Sequence, residues 1–376
     1  MKFIRETPTQ TRRDTWVEID LGALERNAKA LRQAVPASQQ MMAIVKADAY
    51  GHGAVMILQT LEASGIDMLG VASLDEALQI RKAGIRLPTL VIGVVPDWAL
   101  ATAAQQEIQL TVFDAHHLQS LTQAHQQTGR TFKVHVKVDT GMHRIGVAWE
   151  EAADFINMLS GQPGIQLEGV FSHFADTADA RFTQTQLERW RQVVGRLNQK
   201  PRYLHIANSE GMLLHGHSLD PKYSNLVRTG IALFGYGPAG SPPLEPVMGV
   251  KGRIIRIHDV GADESVSYGR RFTTNAPTRI ATVPLGYADG VPRILSGKID
   301  GLLLDQRVPQ AGVITMDQMM FDVTSVADAQ VGDIITLVGA DGPHRITLSD
   351  WAAIAQTIEY ELMCGLRVRL PKVYVR

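Results

Sequence analysis

One lysine in the sequence stands where covalent chemistry would be expected. Lys46 directly follows the apolar run Met41–Val45, which predicts a buried strand, and it precedes the loop ADAYGHG (residues 47–53). Two interpretations are open, because a lysine just past a strand can be a solvated surface residue. The alternative is a partly buried amine whose lowered pKa lets it form a Schiff base with a carbonyl compound. The glycines of the loop would then allow a phosphate or a cofactor to approach the backbone closely.

Repeating apolar runs in the first two-thirds of the chain predict the elements that position Lys46. Eight runs are typical of strands: Met41–Val45, Met68–Ala72, Thr89–Ile92, Gln109–Phe113, Lys133–Val138, Leu167–Phe171, Tyr203–Ile206 and Val227–Phe234. Stretches with helical spacing lie between most of them, such as Leu74–Ala83 and Arg181–Leu197, and Asp20 is placed to cap a helix before the first run. This alternation predicts an α/β fold, either a (β/α)8 TIM-type barrel or a doubly wound open sheet.

Polar residues near the ends of the predicted strands favour the barrel. We assign Lys46, His173, Asn208–Ser209 and Arg228 to the carboxyl ends of four different strands. In a barrel these ends converge on one mouth, whereas in an open sheet they would spread along an edge. The sequence therefore predicts a barrel with a functional site at its mouth.

The pattern changes after Phe234. The segment GYGPAGSPPLEP (235–246) is rich in Gly and Pro and predicts a hinge. Short strand-like runs follow it: Arg253–Ile257, Ser265–Ser267, Arg279–Pro284, Gly312–Thr315, Phe321–Val323, Ile334–Val338 and Val368–Val375, with one helical stretch at Leu348–Ile358. We predict two domains, a barrel over residues 1–240 that begins with a tail at 1–13, and a mostly-β domain over residues 241–376.

Composition argues against several classes of protein. The 37 basic and 38 acidic residues of the 376 nearly balance, so we expect neither a general nucleic-acid binder nor a protein that binds anionic membranes. The single cysteine, Cys364, excludes an internal disulfide and a CxxC zinc site, and no metal site is predicted. Because the first residues lack an apolar signal segment and no run of about 18 apolar residues occurs, we expect a soluble, cytoplasmic protein.

One string, VKADAYGHG (45–53), resembles the pyridoxal-phosphate attachment signature of the alanine racemases. Further strings match that family in the same order: KVDTGMHRIG (137–146), FSHFADTAD (171–179), HIANS (205–209), VRTGIALFG (227–235), SVSYG (265–269), PLGYADG (284–290) and TMDQ (315–318). The resemblance runs from about residue 14 to residue 376. It implies a barrel followed by a β-domain, and a pyridoxal-phosphate enzyme that interconverts L- and D-alanine and supplies D-alanine for peptidoglycan.

The resemblance also implies where the cofactor is held. Lys46 would carry it as a Schiff base, and its phosphate would lie near Tyr50, Ser209 and the backbone amides of Gly230 and Ile231. Phosphate sites of barrels favour the loops after the last two strands, and Ser209 follows the seventh predicted strand while Gly230 lies at the eighth. Ser209 could also be a helix N-cap, a role that is compatible with phosphate binding at the same helix N-terminus.

Three more residues would control the reaction. By resemblance Arg228 faces the pyridine nitrogen of the cofactor; its guanidinium has only donors, cannot protonate that nitrogen, and so would disfavour side reactions. Its alternative role is an ion pair with a carboxylate. Tyr268 would be a second base opposite Lys46, because racemisation removes a proton from one face of Cα and delivers one to the other. An isolated tyrosine has a pKa of about 10, so it needs a cationic neighbourhood to act as a base near neutral pH. His173, together with Arg228, would orient this tyrosine.

The resemblance assigns the substrate carboxylate to Arg144. Lys137 matches a lysine that the family often carbamylates, a change that would turn it into an anion able to hold Arg144. Alternatively, Lys137 stays cationic and pairs with an acid such as Asp139.

Residues of the second domain would complete the substrate site. By resemblance Met316, through its N–H, and Asp317 lie on the carboxylate side, and Tyr287 gates the entry unless it is a packed core aromatic. Thr315 stands where many members carry Cys, which matters little if the backbone binds. Val368 stands where some members carry a tyrosine that contacts the phosphate and lines the substrate pocket, a departure that bears on selectivity for alanine.

The assembly and the activity each have alternatives. The resemblance implies a homodimer in which Tyr268 and Met316 face the barrel mouth of the other chain, although each chain could instead fold its β-domain over its own barrel. A racemase of serine or another small amino acid, or a decarboxylase on this fold, is a second enzymatic reading. A cofactor carrier would need no Tyr268, and a cofactor-free aldolase that uses Lys46 would need no phosphate site at Tyr50 and Ser209.

Overall fold

The computed structural model of the protein describes residues 13–366 and 369–376. The predicted tail at 1–13, apart from Arg13, and the pocket residue Val368 lie outside these ranges. Within them, no helix is long and apolar enough to cross a membrane.

Contacts divide the chain into two compact units. The barrel unit contains residues 24–49 and 54–245, and the β-unit contains residues up to 23, 50–53 and 246–376. The predicted domains, 1–240 and 241–376, assigned the N-terminal residues differently. The difference arises because strand β1 (Thr15–Asp20) is hydrogen-bonded to two strands of the β-unit, a long-range pairing that local pattern does not reveal.

Eight parallel strands form a nearly closed barrel. In chain order they are β2 (Gln40–Ile44), β3 (Met68–Val71), β4 (Thr89–Val91), β5 (Gln109–Val112), β6 (Phe132–Asp139), then, after the two-residue β7 (Val147–Ala148), β8 (Ile165–Phe171), β9 (Tyr203–His205) and β10 (Leu226–Thr229). Strand β10 pairs with β2, and at the seam with β9 the N–H of Arg228 donates to the carbonyl of Ala207 at 3.0 Å. The predicted (β/α)8 barrel is confirmed.

Helices alternate with these strands along the chain: Leu21–Ala34, Ala54–Ala63, Leu74–Lys82, Leu100–Gln105, Ala115–Thr128, Trp149–Leu159, Ala180–Gly195 and Ser209–Leu214. Polar side chains start several of them. Asp20 accepts the N–H of Ala23 at 2.8 Å, as the sequence predicts, and Ser73 accepts that of Glu76 at 3.3 Å.

The eighth predicted strand is shorter than its apolar run. It ends at Thr229, and Ile231–Phe234 form a 3-10 helix instead. Gly230, at φ −125° and ψ −93°, lies in neither strand nor helix conformation and redirects the chain. The backbone amides of Gly230 and Ile231 therefore stand at the start of a helical turn, just beyond the end of a barrel strand.

The β-unit confirms the prediction of a mostly-β second domain. Its strands after β1 are β11 (Met248–Arg253), β12 (Arg256–Val260), β13 (Ser265–Val266), β14 (Phe272–Thr273), β15 (Thr278–Val283), β16 (Asp300–Leu303), β17 (Gln306–Ala311), β18 (Met319–Asp322), β19 (Ile334–Asp341), β20 (His344–Ile346) and β21 (Lys372–Val375). The main sheet has the order β12-β15-β18-β17-β16-β19-β11-β1-β21, β20 pairs with β19, and β13 and β14 form a hairpin.

Three predictions within the β-unit were wrong in detail. The run Gly312–Thr315 is not a strand, because β17 ends at Ala311 and Gly312 has a left-handed φ of 75°. The run Arg253–Ile257 spans the break between β11 and β12. The predicted helix Leu348–Ile358 ends at Ala355, because Gln356 adopts φ 55°, and a second helix that was not predicted follows at Glu359–Gly365.

Candidate active site

Positive charge converges at one histidine of the barrel unit. His173 follows β8, and burial together with the charges of Arg228, Lys137, Arg144 and Lys46 lowers its pKa to about 2. The ring is therefore neutral throughout the physiological pH range. Basic side chains grouped around a neutral ring create a positive potential that suits an anionic ligand.

Arg228 lies fully inside this cluster. Its guanidinium donates to Nδ1 of His205 at 2.9 Å, to Nδ1 of His173 at 3.0 Å, and to the carbonyls of Ser172, His205 and Ile206 at 2.7, 3.2 and 2.9 Å. Burial lowers the pKa of Arg228 to about 9, so it stays cationic at neutral pH. Its partners are ring nitrogens and carbonyls, and no ion pair with a carboxylate forms within the described residues, so that alternative is wrong.

A hydrogen-bonded relay extends from Arg228 into the barrel. Because Arg228 donates to Nδ1 of His205, that ring carries its proton on Nε2, which lies 3.1 Å from Nδ1 of His135. Nε2 of His135 in turn donates to Oε1 of Gln109 at 2.7 Å. Burial lowers the pKa of His135 to about 3 and that of His205 well below its ordinary value. The relay therefore consists of neutral rings with defined proton positions.

Sequence reasoning assigned no role to Gln109, His135 or His205. Each of the three is a buried polar residue of a barrel strand, in QLTV, FKVHVKVD and YLH respectively. That signal was available in the sequence, because a buried polar side chain needs hydrogen-bonding partners. What it could not show is which of the three faces which.

Lys137 is a buried amine that lies over an aromatic ring. Burial, followed by the charges of Arg228 and Arg144, lowers the pKa of Lys137 to about 7. Its Nζ is 4.6 Å from the centre of the Phe171 ring. Within the described residues it makes no hydrogen bond and no ion pair, so the alternative of a pair with Asp139 is absent from the structure. Near neutral pH this amine is therefore much more readily deprotonated, and so more nucleophilic, than an exposed lysine.

The phosphate candidates Ser209, Gly230 and Ile231 lie together in the barrel unit. The hydroxyl of Ser209 accepts the N–H of Gly230 at 2.9 Å, and Ser209 and Ile231 are each only 4% exposed. The alternative role of Ser209 as an N-cap is wrong, because Asn208 caps this helix by accepting the N–H of Gly211 at 2.9 Å. The hydroxyl of Ser209 is thus not used as a helix cap and lies next to the backbone amide of Gly230.

Two further predicted residues, Arg144 and Tyr50, differ in their surroundings. Arg144, in the loop between β6 and β7, is exposed and makes no hydrogen bond or ion pair with any residue that the structure describes. Tyr50 belongs to the β-unit, where its buried ring lies edge-on to Tyr360 with 5.5 Å between ring centres.

Lys46 opens a turn of left-handed helix. Ala47, Asp48 and Ala49 have φ between 53° and 56° and ψ between 45° and 51°, and Tyr50 continues with φ 52°. The N–H of Ala49 donates to the carbonyl of Val45 at 2.9 Å, which closes the turn. Each non-glycine residue in this conformation costs roughly 1–2 kcal/mol. The apolar pattern that precedes Lys46 contains no sign of it.

Four predicted residues share one cavity of the β-unit. Tyr268, Tyr287, Met316 and Asp317 line a cavity of about 610 Å³, together with Arg293, Ile314, Thr315 and Gln318. Tyr268 is 72% exposed, Met316 52% and Tyr287 40%, so Tyr287 is not a packed core aromatic. Apart from Tyr50, the candidates of the β-unit thus share one cavity, and the remaining candidates that the structure describes belong to the barrel unit. Among the described residues no cluster of three or more His, Cys, Asp or Glu could hold a metal ion.

Comparison with known proteins identifies the family. The family model for the alanine racemase N-terminal domain matches residues 19–238, and the model for the alanine racemase C-terminal domain matches residues 247–374. The chain belongs to the alanine racemase family. It is an enzyme of that family, and the resemblance predicted from its motifs is confirmed.

Relatives and solved structures of the alanine racemase family match nearly the whole chain. The alanine racemase of Nostoc sp. is 40% identical over 96% of this chain and 95% of its own length. The crystal structure of alanine racemase from Streptomyces lavendulae has a TM-score of 0.90 at 32% identity, with 98% of each chain covered. The histidine racemase from Leuconostoc mesenteroides also has a TM-score of 0.90, at 28% identity, with 99% of this chain and all of its own covered.

Proposed function

We propose that this enzyme interconverts L- and D-alanine with pyridoxal 5′-phosphate bound at the barrel mouth. The observation that carries the proposal is the cationic surrounding of His173, in which Arg228, Lys137, Arg144 and Lys46 converge. The cofactor phosphate and the substrate carboxylate are both anions, so this donor set fits both. We further propose that the enzyme supplies D-alanine for peptidoglycan and that it lies in the cytoplasm.

The residues of the barrel unit have suitable chemistry for the cofactor. Lys46 would attach it, and the hydroxyl of Ser209 with the amides of Gly230 and Ile231 would hold its phosphate, together with Tyr50. When bound, pyridoxal phosphate supplies an electron sink for the pair that remains on Cα after a proton leaves.

Arg228 would set the strength of that sink. It would face the pyridine nitrogen as a hydrogen-bond donor, and because its pKa stays near 9 inside the barrel it would not transfer a proton. A pyridine ring with an unprotonated nitrogen would withdraw electron density less strongly. This weaker withdrawal would disfavour competing reactions such as transamination.

Two bases would act on opposite faces of Cα. The amine of Lys46 would take or give the proton on one face and the phenol oxygen of Tyr268 on the other. His173 has its Nδ1 occupied by Arg228, so its proton lies on Nε2, where it would donate to Tyr268 and favour the phenolate. This role requires the cavity of the β-unit to meet a barrel mouth, which we propose happens between the two chains of a homodimer.

The substrate carboxylate would be bound by Arg144, whose guanidinium has no competing partner among the described residues. The N–H of Met316 and the side chain of Asp317 would lie on the same side, and Tyr287 would line the entry, in keeping with its partial exposure. We propose that a carbamate on Lys137 orients Arg144. It forms when the neutral amine attacks the carbon of carbon dioxide, a C–N bond forms, and a proton leaves to solvent.

The pH dependence of Lys137 provides a test of this carbamate. Burial lowers its pKa to about 7, so the neutral amine grows from a minor to the major form as the pH rises through 7. Protein equilibrated with ¹³C-bicarbonate should show a carbamate carbon signal by NMR that increases from pH 6 to pH 8. The Lys137→Met variant should lose this signal and roughly 10- to 100-fold in kcat/KM, the loss expected for a charge-assisted hydrogen bond.

A matched control is Lys133→Met, since Lys133 lies on the same strand, is less buried than Lys137, and makes no hydrogen bond or ion pair with any described residue. It should keep both the signal and the activity. A carbamate signal that persists unchanged in Lys137→Met would refute the assignment.

The identity of the substrate needs its own test, because a histidine racemase has closely the same fold. The purified protein should absorb near about 420 nm, and borohydride should remove the band and leave the cofactor on the peptide that contains Lys46. Circular dichroism should show racemisation of alanine with a kcat/KM at least roughly 10-fold above those for serine and histidine. A higher kcat/KM for serine or histidine would instead identify the enzyme as a racemase of that amino acid. Release of carbon dioxide would identify it as a decarboxylase.

A further inference from the structure

The left-handed turn after Lys46 needs an external support. Ala47, Asp48, Ala49 and Tyr50 all have positive φ without a glycine among them, a conformation that persists only where surrounding groups hold it. The turn begins at the residue next to Lys46, so whatever holds it also determines the direction in which the lysine side chain leaves the backbone.

One carboxylate provides such a support. Oε1 of Glu76 accepts the N–H of Ala47 at 2.6 Å, and Oε2 accepts the N–H of Ala72 at 2.7 Å. Glu76 lies in the first turn of the helix Leu74–Lys82, which follows β3. A single side chain therefore joins the loop after β2, which carries Lys46, to the loop after β3.

The contacts require an acid at this position. Both partners of Glu76 are N–H donors, and a carboxylate offers an acceptor oxygen to each. A glutamine of the same shape would offer one acceptor and would point N–H groups at the other donor. The usual role of an acid at the third position of a helix is to accept the N–H of the N-cap residue. Here the N–H partners of Glu76 are Ala72 and Ala47, and the second belongs to another loop.

We propose that Glu76 is a positioning residue that holds the left-handed turn and thereby aims the Lys46 amine at its reaction partner. This inference rests on the proposed function, since Lys46 must meet the cofactor and the Cα proton in a defined direction. Without the Glu76 carboxylate the amine of Lys46 is still present, but the backbone next to Lys46 can leave the left-handed conformation. The expected effect is on rate and not on substrate affinity.

The test compares Glu76→Gln with Asp75→Asn. Asp75 is an exposed acid in the same helical turn that makes no hydrogen bond among the described residues, so its change removes the same charge near the same helix end. We expect Glu76→Gln to keep its melting temperature within a few degrees. It should lose roughly 10- to 100-fold in kcat with a KM nearly unchanged. When cofactor is added back, it should form the absorption band at about 420 nm more slowly. Asp75→Asn should match the native protein in all three.

Hydrogen–deuterium exchange provides a readout that does not depend on activity. Peptides covering residues 45–53 should exchange faster in Glu76→Gln than in the native protein or in Asp75→Asn, because a glutamine accepts only one of the two N–H groups and no longer joins the loop at Ala47 to the loop at Ala72. Glu76→Asp keeps the charge but is shorter by one methylene group, so it should be impaired as well.

Native kcat and native exchange in Glu76→Gln would overturn the proposal. So would the loss of the native fold in both Glu76→Gln and Glu76→Asp, since the role of Glu76 would then be structural. Failure of the proposed function gives a different result: the native protein itself would lack the band and its trapping on Lys46, while exchange at residues 45–53 would still report whether Glu76 holds the turn.

Discussion

Replacement of Lys46 by alanine is expected to abolish racemisation and the absorption band near about 420 nm together. Lys46 would both attach the cofactor and act as one of the two bases, so its loss removes two functions at once. We expect kcat/KM to fall by at least roughly 10⁴-fold, the size of effect seen when a covalent catalyst is removed. Circular dichroism of the alanine product and absorption spectroscopy measure the two effects on the same sample.

Lys46→Arg is the control for charge. Arginine keeps the positive charge at the barrel mouth but its guanidinium stays protonated and does not form the covalent link. It should therefore be as inactive as the alanine variant while keeping its native melting temperature. Turnover by Lys46→Ala without added amines would show that the assignment of Lys46 is wrong.

Mixed dimers of two inactive variants should recover activity. Tyr268, 72% exposed, lines an open cavity of the β-unit, and a barrel mouth open to water would let solvent protonate the substrate. If a second chain covers each mouth, a hybrid of Lys46→Ala with Tyr268→Ala has one site with both defects and one with neither. Dissociation and reassociation of the mixture should then restore up to half of the native activity per hybrid dimer.

The outcome differs if each chain closes its own site. Every site of the hybrid would then keep one defect, and mixing would restore nothing. Native mass spectrometry must show that hybrids have formed, and unmixed variants treated in the same way should stay inactive. An inactive mixture that contains confirmed hybrids would refute the shared site.

The barrel could be predicted from the sequence because its signal is local. Each of the eight strands is a short apolar run, and helices such as Leu74–Lys82 and Ala180–Gly195 have clear spacing and caps. The positions of Lys46 and His173 after a strand, and of Arg228 near the end of one, then predict that the three meet at one mouth, because the carboxyl ends of barrel strands converge there.

The features that sequence reasoning missed depend on distant partners. Strand β1 joins the β-unit through residues more than 200 positions away. The left-handed turn depends on Glu76, 29 positions beyond Ala47. The relay depends on the order in which Gln109, His135 and His205 meet inside the barrel. Periodicity within a window of residues does not contain such information.

The relay has a consequence for how the enzyme responds to acidity. Burial lowers the pKa of His135 to about 3 and that of His205 well below its ordinary value, and Arg228 keeps its proton up to about 9. Around neutral pH the relay therefore carries one positive charge, always in the same place. The electrostatic potential that the relay exerts on a ligand bound beside it therefore does not change with pH in this range. Any inflection in the pH–rate profile near neutrality must then originate elsewhere, and Lys137, whose pKa burial lowers to about 7, is a side chain of the cluster around His173 whose charge changes there.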